Sequence, residues 1–252
     1  MNIAIDIGNT RIKCGIFHPD GKIKVCFLPI PPKGNQFDQL TAACSAPITW
    51  RIAQTGSFTW QELKVKILKV RPQDKFKIVT RKHLPLSLDV DVPQKVGIDR
   101  LLAAFAATEK YDGKSPMLVV DAGSAITIDV VQNRTFCGGA ILPGLAAQSE
   151  NYPKISKNLP LVPVSDSLLN SQPVYPGRNT KDAICNGFYW GTIGAIRQFC
   201  TMFFAKEKNI RLILTGGDAE YLLPGLVRVI PFRQITHCDT LVLEGINGCF
   251  GG

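Results

Sequence analysis

Along residues 1–28 apolar and polar positions alternate with a period of two, and the alternation is cut at Gly8-Asn9 and again at Pro19-Asp20-Gly21. Successive side chains of an extended chain point to opposite faces, so the pattern predicts strands over residues 2–7, 11–17 and 22–28, joined as a meander. The next stretch is mixed. A helix is expected around residues 36–43, a strand near 48–53, a helix near 60–69 and a strand at 76–80. Leu101, Leu102, Phe105 and Ala106 then recur at helical spacing, which predicts a helix over residues 99–111 that ends in Asp112-Gly113-Lys114-Ser115-Pro116.

From there the pattern starts over. An apolar strand at residues 117–120 leads into Asp121-Ala122-Gly123-Ser124-Ala125 and a returning alternating strand at 126–131. Setting Asp121 over Asp6 aligns apolar strand, Asp-x-Gly, a small polar residue and a second alternating strand, and such repetition signals duplicated architecture. A third strand is expected over 134–142, followed by Pro143-Gly144 and a Pro-rich connector over 153–176. A long helix from Asn179-Thr180 to about residue 206 and a strand at 211–214 follow, the strand running into Thr215-Gly216-Gly217-Asp218.

An aspartate at a strand end followed by a tight Gly-Asn-Thr turn places a carboxylate beside backbone N–H groups that can face a polyphosphate. Bare aspartate repels phosphate, so the pairing makes sense through a cation, and Mg²⁺ takes one or two carboxylates together with phosphate oxygens. Asp6 therefore points to Mg²⁺ with a nucleotide, while a plain hairpin turn also accommodates Asp-x-Gly-x-Thr. The matching copy at Asp121 and the Gly216-Gly217 pair at a later strand end add a nucleotide cradle. Neither G-x-x-x-x-G-K-[ST] nor G-x-G-x-x-G occurs, which excludes P-loop and Rossmann readings. Gly97-Ile98-Asp99-Arg100 opens a helix, where Asp99 suits the cap or the first turn on dipole grounds alone.

Composition narrows the class. With 252 residues, 45% hydrophobic and 19% charged, the chain can bury one large or two modest cores, which excludes a disordered or fibrous protein. Its apolar runs fall short of the roughly 18 to 20 residues of a membrane span, and Met1-Asn2-Ile3-Ala4-Ile5-Asp6 does not read as a signal peptide, so a cytoplasmic protein without membrane association is expected. The net charge of +9 admits nucleic acid, a membrane surface or an anionic substrate as partner. The densest basic cluster, over residues 64–82, interleaves with Val, Ile, Leu and Phe and reads as solvated faces of ordinary elements, so no nucleic-acid partner is expected. The eight cysteines contain no C-x-x-C and read as buried thiols, and His18, His83 and His237 show no metal-ligand spacing. Gly187, Gly191 and Gly194 read as close-packing positions rather than a nucleotide lining, and Phe188, Tyr189 and Trp190 as a surface covered by a second subunit.

Taken in order, Asp6-Ile7-Gly8-Asn9-Thr10, Gly97-Ile98-Asp99-Arg100, Asp121-Ala122-Gly123-Ser124-Ala125-Ile126-Thr127, Gly138-Gly139-Ala140-Ile141-Leu142-Pro143-Gly144, Asn179-Thr180 and Thr215-Gly216-Gly217-Asp218 resemble the motif series of type III pantothenate kinases over nearly the whole chain. The resemblance implies an α/β, duplicated actin-like fold of the ribonuclease-H-like type, shared with acetate and sugar kinases, chaperone ATPases and actin. Its halves would span residues 1–115 and 116–252, with a cleft between them. It implies phosphorylation of pantothenate by ATP to 4'-phosphopantothenate, the first step of coenzyme A biosynthesis, with Mg²⁺, K⁺ or NH₄⁺, and a homodimer.

Carried over by position, the resemblance makes Asp6, Ile7, Gly8, Asn9, Thr10, Arg11, Ile12 and Lys13 the first phosphate-binding segment, with Asp6 on Mg²⁺, and Ser124 a second contact to ATP. It makes Asp99 the proton acceptor, Gly97, Ile98, Asp99, Arg100 and Thr180 the pantothenate site, and Asp121 the holder of the monovalent cation. Two positions depart from the family. Ser124 stands where Thr is usual and keeps the hydroxyl, whereas Leu88-Asp89-Val90-Asp91-Val92-Pro93 lacks the Tyr or Asn that contacts substrate there. The rival readings are another small-molecule kinase of the same fold, such as a sugar kinase, and a non-catalytic nucleotide-binding regulator.

Overall fold

Alternation in the first segment is realised as β1 (Asn2–Ile7), β2 (Ile12–Phe17) and β3 (Ile23–Leu28) of a computed structural model that describes residues 1–18, 20–33, 36–42, 44–111, 115–165, 172–204, 210–230 and 235–250. Ile3, Ile5 and Ile7 of β1 meet Ile12, Cys14 and Ile16 of β2 on one buried face, each 5% exposed or less. β1 and β2, and β2 and β3, pair antiparallel. On the other edge of β1, β4 (Thr49–Gln54) pairs in parallel, and β5 (Lys75–Ile78) pairs in parallel with β4, so the order is β3-β2-β1-β4-β5. Parallel neighbours need a crossover, which α1 (Gln36–Thr41) supplies before β4 and α2 (Trp60–Val70) supplies between β4 and β5. After a two-residue strand β6 (Ser87–Leu88), α3 (Ile98–Lys110) packs its row of Leu101, Leu102, Ala104 and Phe105 inward.

A second unit repeats the plan. Here β7 (Met117–Ala122), β8 (Ala125–Gln132) and β9 (Thr135–Pro143) form the meander, and β10 (Arg211–Thr215) and β11 (Ile235–His237) add in parallel, giving β9-β8-β7-β10-β11. Strand for strand this is the order and sense of the first sheet. α4 (Leu145–Ile155), α5 (Thr180–Phe204) and α6 (Ala219–Val229) complete the unit. Its core joins Val120 and Ile128 of the sheet to Ile184, Phe188, Tyr189 and Ile193 of α5 and Leu222 of α6.

Compact packing groups Met1–Lys110 with Thr240–Gly252, and separates Tyr111–Asp239. The last helix, α7 (Leu241–Gly248), therefore packs with the first unit and not with the half that precedes it in the chain. It lies against β1 and α3, with Gly245 at the Leu102 carbonyl and both Glu244 carboxylate oxygens 3.0 Å from Lys110 Nζ. Arg51 of β4 donates to the Asn247 carbonyl and side chain.

Several expectations change. The connector does not begin at Pro153, which sits inside α4, because Leu145 and Ser149 anchor that helix in the core. Phe188 and Tyr189 are 1% and 0% exposed inside their own unit, so only half-buried Trp190 remains of the expected aromatic surface. The exposed stripe of α5 is instead Ala183, Gly187, Gly191 and Gly194, and a Cβ at Gly191 or Gly194 would meet nothing within 4 Å. All eight cysteines are free thiols, but Cys26, Cys44, Cys137 and Cys249 are only half-buried. Burial pushes the Cys200 and Cys249 thiols up to about 12, which keeps both unreactive. Pro19, Ala43, residues 112–114 of the expected helix stop, 166–171 of the connector and 205–206 at the end of the long helix lie outside the described residues. Among those described, no helix is long and apolar enough to cross a membrane.

One buried polar knot holds the start of β4. Asp74 accepts from the Ile48 N–H at 2.9 Å, the Trp50 indole at 2.7 Å and Arg71 Nε at 2.8 Å. Burial on its own raises this carboxyl, but the bonds from Arg71, Ile48 and Trp50 outweigh it and hold the group below the ordinary carboxylate range. A folded value below the unfolded one means that the stabilisation is complete above about pH 5 and fades as pH falls through the folded value. Asp74→Ala is expected to lower the unfolding free energy by about 3 kcal/mol at pH 7. In urea unfolding the gap to wild type should narrow at pH 3, and an equal gap at both pH values would contradict this role.

Candidate functional site

Asp6 is the penultimate residue of β1, and Asp121 holds the same place in β7. Since β1 alternates, the Ile5 and Ile7 that face the core force Asp6 onto the opposite face, where the register sets it beside Lys13. Asp121 lies between Thr127 of β8 and Thr215 of β10 in the second sheet. One aspartate thus has a cation as cross-strand neighbour and the other has two hydroxyl residues.

Each aspartate is followed by a turn whose backbone is bracketed by the loop beyond the parallel strand. In the first unit the Ile7 carbonyl accepts the N–H groups of Thr55 and Gly56, both at 2.9 Å, and the turn closes with Gly8 N–H on the Arg11 carbonyl at 3.2 Å. A Cβ on Gly56 would overlap the Gly8 carbonyl, so this approach requires glycine. Asn9, Thr10 and Arg11 are exposed. In the second unit the Ala122 carbonyl accepts the Asp218 N–H at 2.8 Å, and Gly216, at φ +99°, lies against Ala122 where any Cβ would clash. Ser124 is exposed, and its carbonyl accepts the Gly144 N–H at 3.2 Å. The Gly216-Gly217 and Pro143-Gly144 motifs thus act on the second turn. Gly56 was not anticipated; its signal was a lone glycine just past the fourth strand, the place Gly216 takes in the repeat.

Asp99 sits in the first turn of α3, and its Oδ1 accepts the Arg100 N–H at 2.9 Å. A Cβ on Gly97 would stand 2.5 Å from that oxygen, so the glycine leaves room for the carboxylate to fold back over the helix start. The helix-start reading of this motif and the functional one are therefore compatible: a first-turn carboxylate suits the helix dipole and is oriented by the neighbouring N–H. Residues 97–100 are all half-buried.

Thr180 is the exposed first residue of α5, beside Asn179, whose Oδ1 accepts the Asp182 N–H at 2.9 Å. Farther along α5, Asn186 Nδ2 donates to the Val174 carbonyl at 3.0 Å and Trp190 Nε1 to the Pro173 carbonyl at 3.0 Å. These bonds tie Pro173 and Val174 to the helix beside a cavity of 610 Å³ lined by Tyr175, Pro176, Gly187, Trp190 and Gly191.

Asp6 to Lys13 and Gly97 to Arg100 belong to the first unit, and Asp121, Ser124 and Thr180 to the second. Among the described residues no three His, Cys, Asp or Glu side chains gather as a metal cluster. A lone carboxylate beside a turn fits Mg²⁺ only in the company of phosphate oxygens and water. In the basic stretch, Lys69 is exposed and Lys66 half-buried on α2 while Leu63 and Ile67 turn inward, and Lys75 and Lys77 lie on the edge strand β5.

Comparison with known proteins agrees along the chain. The type III pantothenate kinase of Flavobacterium johnsoniae is 29% identical over 232 residues, 91% of each chain. That of Porphyromonas gingivalis is 30% identical over 249 residues, 98% of this chain and 96% of the relative. A Campylobacter jejuni crystal structure, assigned to the Baf family of transcriptional activators, matches at 25% identity and a TM-score of 0.60, covering 98% of this chain and 96% of its own. Component A of the (R)-2-hydroxyglutaryl-CoA dehydratase of Acidaminococcus fermentans, at 13% identity, TM-score 0.55 and coverage of 98% and 95%, shares the fold alone. With five strands of the same order and sense in each unit, that fold is the duplicated actin-like α/β type. The family model for type III pantothenate kinase matches residues 2–202, and the chain belongs to that family.

Proposed function

We propose that this chain transfers the γ-phosphoryl group of ATP to the hydroxyl of pantothenate, giving 4'-phosphopantothenate in the first step of coenzyme A biosynthesis, in the cytoplasm. The observation that carries it is the pair of backbone-bracketed turns, each behind a penultimate aspartate of a first strand, within the residues 2–202 that the family model matches. The rival regulator reading draws on the Campylobacter jejuni relative. A protein freed from catalysis has no need of Asp6, Asp99, Arg100 and Asp121 together, which favours the kinase.

In this reading the segment Asp6 to Lys13 and Ser124 receive the phosphates. Mg²⁺, bound with ATP, supplies charge neutralisation that the protein's carboxylates cannot. Arg100 offers a planar fork of donors to the pantothenate carboxylate, the stronger kind of charge-assisted pair, and Thr180 adds a hydroxyl. Asp99 orients the substrate hydroxyl and takes its proton late. A carboxylate suffices for this because phosphoryl transfer is loose and depends mainly on position. Asp121, flanked in register by Thr127 and Thr215, presents the oxygen-rich surroundings that K⁺ or NH₄⁺ favours.

Asp99→Asn keeps the shape and removes the proton acceptor, so kcat should fall by roughly 10²-fold or more with ATP affinity little changed. Near-normal turnover would sink the assignment. For Arg100→Lys, KM for pantothenate should rise and KM for ATP should not. The variant should lose less against a pantothenate analogue with an amidated carboxylate, and equal losses for both ligands would remove Arg100 from the carboxylate.

Activity should vanish with EDTA and drop when K⁺ is replaced by a bulky organic cation; full turnover in K⁺-free buffer would reject the monovalent site. A homodimer is proposed through the exposed small-residue stripe of α5, beside which Val174 and Tyr175 are 80% and 81% exposed. Light scattering at micromolar concentration should give twice the 27.6 kDa chain mass, and the monomer mass would refute it.

A further inference from the structure

The register of the first sheet lays Asp6, Lys13 and Phe27 in one row across three strands, Asp6 opposite Lys13 on β2 and Lys13 opposite Phe27 on β3. β3 is an edge strand, and Cys26 and Leu28 take its core face, so alternation turns Phe27 away from that core, 51% exposed. A large apolar ring in that position does little for burial, yet its face is occupied. Arg11 Cζ lies 4.3 Å from the ring centroid and Lys13 Nζ lies at 6.0 Å. Cations within about 6 Å of an aromatic face are held by the ring quadrupole. Both cations come from the segment proposed to receive phosphate, and both are long side chains whose ordering on binding costs rotamer entropy.

We propose that Phe27 is a positioning residue for the nucleotide: its ring holds the Arg11 guanidinium and the Lys13 ammonium over the strand ends, so that less ordering remains when a polyphosphate arrives. The inference rests on the proposal that residues 6–13 receive phosphate. The role needs a π face and not merely bulk. Phe27→Leu therefore removes it while keeping an apolar side chain, and Phe27→Tyr and Phe27→Trp preserve it.

The test is an equilibrium titration of a non-hydrolysable ATP analogue with Mg²⁺, without pantothenate. Phe27→Leu should weaken binding about two- to fivefold, the scale of an exposed cation–π contact, and Phe27→Tyr and Phe27→Trp should stay near wild type. In the ligand-free protein the Arg11 Nε–H and Lys13 ε-methylene resonances should carry an upfield ring-current shift that Phe27→Leu removes and Phe27→Tyr retains. Wild-type affinity and shifts in Phe27→Leu would overturn the inference, and so would equal losses in the Leu and Tyr variants, which mark packing alone. Arg11→Ala and Lys13→Ala separate the two levels. If they weaken binding and Phe27→Leu does not, the inference fails and the phosphate assignment stands; if neither weakens it, the assignment fails and the inference with it.

Discussion

A strand that pairs in parallel with its neighbour delivers the following loop to the same end of the sheet, and both units are built around that constraint. β4 beside β1, and β10 beside β7, bring their outgoing loops onto the turn that follows each aspartate. The Ile7 and Ala122 carbonyls are each claimed by those loops, and Gly56 and Gly216 are the residues that permit the approach. Backbone hydrogen bonds therefore hold each turn against the neighbouring loop, with the Thr55 hydroxyl adding a bond to the Ile7 carbonyl at 3.3 Å. Such turns are held before any ligand arrives, which suits a reaction whose barrier is lowered chiefly by placement.

Within this shared frame the two aspartates have different surroundings. Asp6 heads a row with Lys13 and Phe27, next to a turn rich in polar and basic residues, whereas Asp121 is set among threonines. A duplicated fold thus carries one aspartate beside a cation and another between two hydroxyl residues. Asp99 differs again, since it is oriented by the helix it begins.

Much of this was legible in the chain because it is written in local pattern. The Ile3-Ile5-Ile7 alternation and the breaks at Gly8 and Gly21 marked the first meander, and its echo around Asp121 marked the second. What escaped depends on tertiary packing. Pro153 looks like a helix breaker but sits inside α4, whose buried residues override it. Phe188 and Tyr189 looked like an interface because periodicity alone does not say which apolar face a helix buries inward. The docking of α7 on the first unit joins residues far apart in sequence, and Gly56 owes its importance to a carbonyl almost fifty positions earlier.

The most direct measurement is coupled ADP release by the full chain with ATP, Mg²⁺ and K⁺, offered pantothenate, a panel of sugars, or no acceptor. ADP should appear at a catalytic rate with pantothenate alone, and Asp6→Asn should abolish it. Release with a sugar in place of pantothenate, or no acceptor-dependent release at all, would contradict a pantothenate kinase built on these two turns.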